Sequence, residues 1–250
     1  MSDFNRGYAR PVPGTADMSV DAGLRAFMLG VYNKMALGLV LSAALAWITA
    51  NFAPVTRLLY TTTPTGALAG FTPLGMILAF APLAIIIFAM MAIRNATPRS
   101  SGILYWTLVS VIGAGLGVWL LMYTGASIAQ TFLITATAFG ALSLFGYSTK
   151  RNLTGLHSFL FMGAWGLVIA LMFSFVFHSP MLYFVLNVVG VLIFAGLVAT
   201  KTQQLKMTYY ELGGDQSSLA VATNYGALNL YISFINLFQF LLMLMGGRRN

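Results

Sequence analysis

Seven long apolar segments, separated by shorter polar stretches, run through the 250-residue chain. A helix needs about 20 mainly apolar residues to cross a hydrocarbon core of about 30 Å, and each segment has close to this length. The pattern therefore predicts seven transmembrane helices. Their expected bounds are residues 35–53, 74–93, 103–123, 128–145, 159–177, 181–200 and 227–245.

Turn-forming residues predict where several spans end. The first span is expected to end just before Pro54, because proline in a helix interior is costly. Residues 124–127 (TGAS) are typical of a tight hairpin between the third and fourth spans, and residues 178–180 (HSP) divide the fifth span from the sixth. The polar residues 201–224 are expected to form most of the sixth loop.

Composition supports a membrane protein. Apolar residues make up 59% of the chain and charged residues 7%, whereas soluble domains carry roughly a quarter charged residues. The N-terminus lacks the pattern of a cleaved signal peptide, so the first apolar segment is expected to remain as an anchor. The expected architecture is an all-α bundle with a polar cytoplasmic tail (1–26), a membrane domain (27–247) and a basic C-terminus (248–250).

Basic residues in alternate loops predict the orientation, since cytoplasmic loops carry an excess of Lys and Arg. The N-terminal tail and the second, fourth and sixth loops contain ten of the 13 basic residues, and the other side contains three. Seven spans then place the N-terminus in the cytoplasm and the C-terminus outside. The alternative is six spans, with the segment after Ala227 re-entering the membrane.

Acidic residues are absent from the predicted spans; the five in the chain are Asp3, Asp17, Asp21, Glu211 and Asp215. Proton relays and cation pathways usually depend on intramembrane carboxylates, so a cation path here would have to use carbonyl, hydroxyl and amide groups. His157 and His178 are predicted on opposite faces of the membrane, and cysteine is absent. Neither a metal site nor a cofactor is expected.

The sequence pattern does not indicate an enzyme. Intramembrane serine proteolysis needs an activated serine with a base in reach, but no serine-nucleophile turn occurs and no histidine lies in mid-span. An aspartyl protease would need two membrane carboxylates. Nucleic acid is not an expected partner despite the net charge of +8, because the basic residues are spread over loops and form no stripe.

The last span has the strongest polar signal. Asn229, Ser233 and Asn236 are spaced four and then three apart, which places them on one helix face. This face is expected to point into the bundle, because polar amides facing lipid are costly. It is interpreted either as a set of interhelical hydrogen bonds or as the wall of an ion path. In the third span, Gly113 and Gly117 have the spacing of a close helix–helix contact.

Two motifs resemble the Bax inhibitor-1 family, the transmembrane Bax-inhibitor-motif proteins, and within it the bacterial YccA-like branch. Residues 200–206 (TKTQQLK) resemble the family's Asp-Thr-Gln turn after the sixth helix, and residues 228–238 (LNLYISFINLF) resemble its last helix. Residues 27–38 and 150–153 are also similar to family positions. The resemblance implies six helices around a central last helix, and either a pH-sensitive calcium leak, a stress suppressor or a regulator of a membrane-bound AAA protease.

The chain departs from the family at the pH sensor that the resemblance implies. Lys201 and Ser233 stand where the family has two aspartates that share a proton, and a lysine and a serine cannot split their titrations as two carboxylates do. Arg94 best matches the basic partner of that pair. At about 10 Å and an effective dielectric near 20, Lys201 would repel a divalent cation by about 3 kcal/mol before screening, enough to lower its occupancy about a hundredfold.

Together these observations predict a multispan protein of a bacterial inner membrane that modulates ion homeostasis or stress. The leading expectation is a regulatory or interaction protein without the family's acidic gate. The first alternative is a leak for calcium or another ion, lined by Asn229, Ser233 and Asn236; the second is a regulator of a membrane-bound AAA protease. The expected partners are the lipid bilayer, a membrane protein and, in the leak alternative, Ca²⁺.

Overall fold

The computed structural model describes residues 22–63, 68–92, 96–177 and 179–248. This part of the chain contains nine helices and one two-stranded sheet. The helices are α1 (Ala22–Asn51), α2 (Ala53–Leu59), α3 (Pro73–Ala92), α4 (Pro98–Gly115), α5 (Gly117–Met122), α6 (Gly125–Ser148), α7 (Thr154–Phe177), α8 (Pro180–Glu211) and α9 (Gln216–Met245), and the strands are β1 (Tyr60–Thr62) and β2 (Leu68–Phe71).

Six helical segments in the described residues are long and apolar enough to cross a membrane. They are α1, the 25-residue unit Pro98–Met122 formed by α4 and α5, α6, Thr154–Ser174 of α7, α8 and α9. A shorter apolar stretch, Pro73–Ala89, lies in α3. The prediction of an α-helical membrane protein is therefore confirmed, and each predicted span overlaps a helix.

The largest difference between the structure and the sequence prediction concerns the polar residues 201–224. They do not form a loop: α8 continues to Glu211 and α9 begins at Gln216. Gly213 and Gly214 adopt positive φ angles of 58° and 88° in the short turn between the helices, a conformation that glycine adopts at little cost. The prediction was wrong because residues 201–224 are mainly polar, and composition alone does not distinguish a polar helix from a loop.

Two other turn predictions change in detail. Residues 124–127 do not form a separate hairpin, since α6 begins at Gly125, and the Thr124 hydroxyl accepts a hydrogen bond from the amide of Ser127 as its N-cap. The first helix ends at Asn51, and Pro54 lies in the first turn of α2. There a proline is tolerated because the amide lacks a helical partner anyway.

A small hairpin that the hydrophobic pattern did not predict follows α2. Strands β1 and β2 pair antiparallel, with Tyr60 opposite Phe71 and an irregularity after Thr61. Tyr60 is buried, and its hydroxyl donates to the carbonyl oxygens of Ala114 and Gly115 at 3.4 and 3.3 Å. The hairpin therefore packs over the junction of α4 and α5.

Helix α9 lies at the centre of the bundle. It packs against α1, α4, α6 and α8, and 56% of its apolar stretch is buried, compared with 6% for α7. The expected central last helix is present, but it is enclosed directly by four helices rather than six. Helices α3 and α7 form an outer layer, α3 against α4 and α7 against α8.

Close contacts between α1 and α4 confirm the predicted role of the glycines. A β-carbon on Gly113 would lie 2.6 Å from the Cα atom of Ser42, and one on Gly117 would overlap the side chain of Thr49. Nothing lies within 4 Å of a β-carbon built on Gly115. Of these three glycines, only Gly113 in α4 and Gly117 in α5 are therefore required to be small.

Candidate functional site

Lys201 and Ser233 join α8 to α9. The Lys201 Nζ donates to the Ser233 Oγ at 3.1 Å and to the Asn229 carbonyl oxygen at 3.3 Å. The Ser233 Oγ in turn donates to the same carbonyl at 2.9 Å, so its remaining lone pairs can accept from the lysine. Ser233 is fully buried and Lys201 partly exposed. The two positions that the resemblance assigns to a sensor are thus in direct contact.

The helices bring these two residues together for a simple geometric reason. Helices α8 and α9 lie side by side and antiparallel across the short turn 212–215, and the long lysine side chain reaches from α8 to the Ser233 Oγ in α9. Lys201 is well inside α8, about three turns before its end, rather than at the end of the helix as the motif predicted. The resemblance placed this motif in a turn; the structure corrects it to a helix.

The polar face of α9 is divided between different environments. Asn229 is exposed, Ser233 is buried and Asn236 is partly exposed. The Asn236 amide donates to the Ile232 carbonyl oxygen of its own helix at 2.8 Å. The three residues lie on one face, as predicted, but the expectation that this face points into the bundle is wrong for Asn229, and among the three only Ser233 is buried.

Two of the residues named from sequence lie outside the described residues. Arg94, the proposed basic partner of the sensor, follows α3 in the segment 93–95, and His178 lies between α7 and α8. The other histidine, His157, contacts α8: its Nδ1 lies 3.1 Å from the Thr200 Oγ1, one residue before Lys201. Its proton donor and acceptor roles depend on the tautomer.

A second polar cluster joins α9 to α1 and α4. Asn224 is 5% exposed, and its side-chain oxygen accepts a hydrogen bond from the Lys34 Nζ. Its amide donates to the Ser101 Oγ at 2.8 Å and to the Pro98 carbonyl oxygen at 3.1 Å. The Tyr105 hydroxyl donates to the Lys34 carbonyl oxygen at 2.6 Å. This cluster satisfies both ends of one buried amide and fixes the start of α4.

The loop between α6 and α7 is held by a side chain of the same motif in α8. Gln203 accepts a hydrogen bond from the Leu153 amide at 2.8 Å and donates to the Arg151 carbonyl oxygen at 2.7 Å. Nearby, the Lys206 Nζ donates to the Tyr147 carbonyl oxygen at 2.6 Å, at the end of α6. The polar residues of the motif thus secure the neighbouring helix ends.

Sequence reasoning missed most of the Asn224 cluster. Lys34 was interpreted only as an orienting charge, Asn224 was placed in a loop, and Ser101 and Tyr105 were not singled out. The signal in the sequence was weak: Asn224 lies five residues before Asn229, a spacing that places the two on different faces of a helix. The pairing itself could not be read, since Asn224 and Ser101 are 123 residues apart.

Carboxylate chemistry plays no part in either cluster. The described acidic residues are Glu211, at the end of α8, and Asp215, the N-cap of α9, and the described residues contain no group of three His, Cys, Asp or Glu that could hold a metal ion. The Asp215 carboxylate accepts from the Ser218 amide at 2.8 Å. Hydrogen bonding with Ser218 lowers the pKa of this exposed carboxyl below its usual value.

The fold and these contacts define a class: a multispan α-helical membrane protein whose buried last helix is tied to its neighbours by lysine, serine and asparagine. The sequence matches the family described as inhibitor of apoptosis-promoting Bax1 over residues 24–250. The chain therefore belongs to the Bax inhibitor-1 family.

Several bacterial relatives cover nearly the whole chain. A protein of Caulobacter vibrioides is 62% identical over 251 residues, covering 100% of both chains. The inner membrane protein YbhL of Escherichia coli K12 is 39% identical over 229 residues, covering 91% of this chain and 94% of the relative. A membrane protein of Streptococcus pyogenes serotype M3 is 30% identical over 229 residues, covering 90% and 94%.

Proposed function

We propose that the protein modulates membrane ion homeostasis or stress through partner binding, and that it is not a proton-gated calcium leak. The observation that carries this proposal is the contact of the Lys201 Nζ with the Ser233 Oγ and the Asn229 carbonyl oxygen. These are neutral acceptors, and the lysine supplies a positive charge beside them. A divalent cation would be repelled at this level of the bundle.

The same contact lacks the property that makes a carboxylate pair a pH sensor. Two neighbouring carboxylates cannot both ionise easily, so the pKa of one of them is raised. The path then opens or closes as the pair gains or loses this proton. A serine hydroxyl does not titrate in this range. The Lys201–Ser233 contact therefore joins α8 to α9 without a shared proton.

The proposed role is non-enzymatic, although a lysine beside a serine is an arrangement that some hydrolases use. Ser233 is 0% exposed, so a substrate carbonyl has no route to its hydroxyl. Its proton is also directed at the Asn229 carbonyl oxygen at 2.9 Å rather than at a base. Both features argue against nucleophilic catalysis.

One observation favours the alternative of an ion path along α9. Asn229 is exposed and Asn236 partly exposed, so two amides on this face could contact permeating ions. That alternative predicts that leucine at positions 229, 233 and 236 abolishes ion flux while the protein remains folded. Flux that persists in the triple variant would count against it.

The proposed topology has seven spans, with the N-terminus in the cytoplasm and the C-terminus outside. In support, α9 meets Lys34 and Ser101 through Asn224 near its start, and its end lies beside the α5–α6 connection. There the Thr124 amide donates to the Gly247 carbonyl oxygen at 3.1 Å. A helix of about 45 Å that contacts opposite ends of the bundle crosses it completely, which favours α9 as a span over a re-entrant segment.

The absence of cysteine makes this topology easy to test. Single cysteines at positions 150 and 248 are labelled in intact cells with a membrane-impermeant maleimide, and again after the membrane is opened. Labelling of position 248 but not 150 in intact cells is expected for seven spans. Equal protection of both positions would contradict it.

We place the protein in a bacterial inner membrane, on the strength of its bacterial relatives and the inner-membrane name of the Escherichia coli one. A membrane-bound AAA protease is the partner class that the family resemblance favours. The test is crosslinking in the membrane, with an unrelated seven-helix protein as the control. A membrane protease that is crosslinked to the native chain and not to the control would support this choice.

Calcium uptake into proteoliposomes at about pH 6 and about pH 8 tests the central proposal, because a carboxylate pair titrates within this interval. The native protein is expected to show no calcium uptake at either pH. The variant Lys201→Asp/Ser233→Asp is expected to leak in a pH-dependent way. Lys150→Asp is the control for the lysine substitution, because Lys150 is exposed in a loop and the variant repeats the Lys-to-Asp change of charge away from the site.

The results separate the candidate functions clearly. A silent native protein and a leaking double variant would mean that the path persists and that only the sensor has been replaced. Strong, pH-gated calcium flux through the native protein would refute the proposal. Flux through the native protein without pH dependence would favour the α9 ion path instead.

A further inference from the structure

A groove of about 560 Å³ lies between α1 and α6. Both helices pack against α8 and α9, but in the described part of the chain they do not pack closely on each other. The groove has the size of a small-molecule site, which typically encloses about 300–1,000 Å³. At its edges, Leu29 is 50% exposed and Leu144 is 70% exposed, so it opens sideways toward the lipid that surrounds the bundle.

The groove changes from polar to apolar along its length. Arg25, exposed on the first turn of α1, and Tyr147, near the end of α6, line one end. Phe139 and Gly140 line the other, about 12 Å further along α6. Two more basic residues, Lys150 and Arg151, lie in the loop after α6, outside the groove lining but on the same side of the bundle as Arg25. A cationic mouth above an apolar channel matches an amphiphile with an anionic head and a hydrocarbon chain.

An unpaired hydroxyl lies beside this groove. Ser143 is 6% exposed, and among the described residues its Oγ has no hydrogen-bond partner. It lines the groove between the level of Tyr147 and the level of Gly140. A serine in a transmembrane helix normally finds an acceptor or donor, because an unsatisfied polar group in a water-free region is costly. The Oγ is not accessible from the open groove, so it lies behind the groove wall and meets a ligand there only if the Ser143 side chain changes rotamer.

We infer that the groove between α1 and α6 is a binding site for one anionic phospholipid, with its phosphate at Arg25 and an acyl chain toward Phe139. Charge selects the anionic headgroup, since a basic side chain near the membrane surface attracts acidic lipids. The apolar lining below the mouth selects a hydrocarbon chain and excludes soluble phosphate compounds such as nucleotides.

Native mass spectrometry of the detergent-purified, delipidated protein tests this site. Phosphatidylglycerol and phosphatidylcholine with identical acyl chains are the two probes, and one tightly bound phosphatidylglycerol is expected, with weaker binding of phosphatidylcholine. Arg25→Gln is expected to weaken phosphatidylglycerol binding about fivefold and to leave phosphatidylcholine binding unchanged. Arg99→Gln is the matched control, because Arg99 is also exposed in the first turn of a helix but lies outside the groove.

A second variant tests the apolar part of the groove. A β-carbon on Gly140 meets nothing within 4 Å, so Gly140→Trp can fill the groove without forcing the backbone apart, and it is expected to abolish binding of both lipids. Gly166→Trp on α7 is its control, since Gly166 also has open space around it. Unchanged phosphatidylglycerol binding in Gly140→Trp, or equal native affinity for the two lipids, would overturn the inference.

Discussion

Gly113 in α4 lies directly against Ser42 in α1, where a β-carbon would come within 2.6 Å of the serine Cα atom. The same serine hydroxyl lies 2.7 Å from the Tyr231 hydroxyl of α9 and donates to the Val109 carbonyl oxygen at 3.2 Å. Ser42 therefore joins α1, α4 and α9 at the middle of the bundle. Any side chain at position 113 would separate two backbones and disturb both hydrogen bonds.

Gly113→Ala is expected to destabilise the protein by about 1–3 kcal/mol, the usual cost of overpacking a closely packed contact. Gly115→Ala, two residues along the same helix, is the control, because nothing lies within 4 Å of its β-carbon. The measurement is the thermal unfolding midpoint in detergent. Equal midpoints for the two alanine variants would contradict the packing described for α1 and α4.

Asn224→Leu is expected to lower stability more than Asn229→Leu. Asn224 is buried and bonded to Lys34, Ser101 and the Pro98 carbonyl, and its replacement removes three hydrogen bonds, one of them to the buried Ser101 hydroxyl, at a cost of about 1–3 kcal/mol. The Asn229 side chain is exposed, so the same substitution there removes less. Thermal midpoints of both variants decide the comparison; a larger loss for Asn229→Leu would show that the cluster at Asn224 is not stabilising.

The single variant Ser233→Asp is expected to show no calcium flux, as is expected for the native protein. The new carboxylate would face the Lys201 amine, which now lies 3.1 Å from the Ser233 Oγ, and a charge-assisted hydrogen bond is roughly twice as strong as a neutral one. Thermal stability at neutral pH should exceed that of Ser233→Asn, which has the same shape and no charge. A calcium leak in Ser233→Asp with Lys201 intact would mean that the lysine does not control the path.

The N-cap of α9 predicts an acid-sensitive turn. The folded pKa of Asp215 lies below its usual value of 3.8 because Ser218 stabilises the carboxylate, so the cap contributes fully above 3.8 and is lost as the pH falls through the lower folded value. Hydrogen exchange at the start of α9 should therefore accelerate only in strong acid. Asp215→Asn, which retains capping without the titration, should show a smaller change over the same acid range.

The class of the protein could be predicted from the sequence because membrane insertion depends on local length and apolarity. Each predicted span overlaps a helix, and the glycine spacing at Gly113 and Gly117 correctly indicated a close contact. The polar face of α9 was also correct in position, since helical periodicity is a property of neighbouring residues. Its environment was not predictable, because Asn229 is exposed while Ser233, one turn later, is buried.

What the sequence by itself determined is the set of apolar helices, the polar face of the last one and the absence of acidic residues from the predicted spans. Tertiary structure alone decided that Lys201 and Ser233 touch, that α8 and α9 continue as helices beyond the apolar spans, and that Asn224 secures α1 and α4. The physical reason is range. Apolar length and helical period act between neighbours, whereas these hydrogen bonds join residues 32 to 190 positions apart and exist only once the bundle has packed.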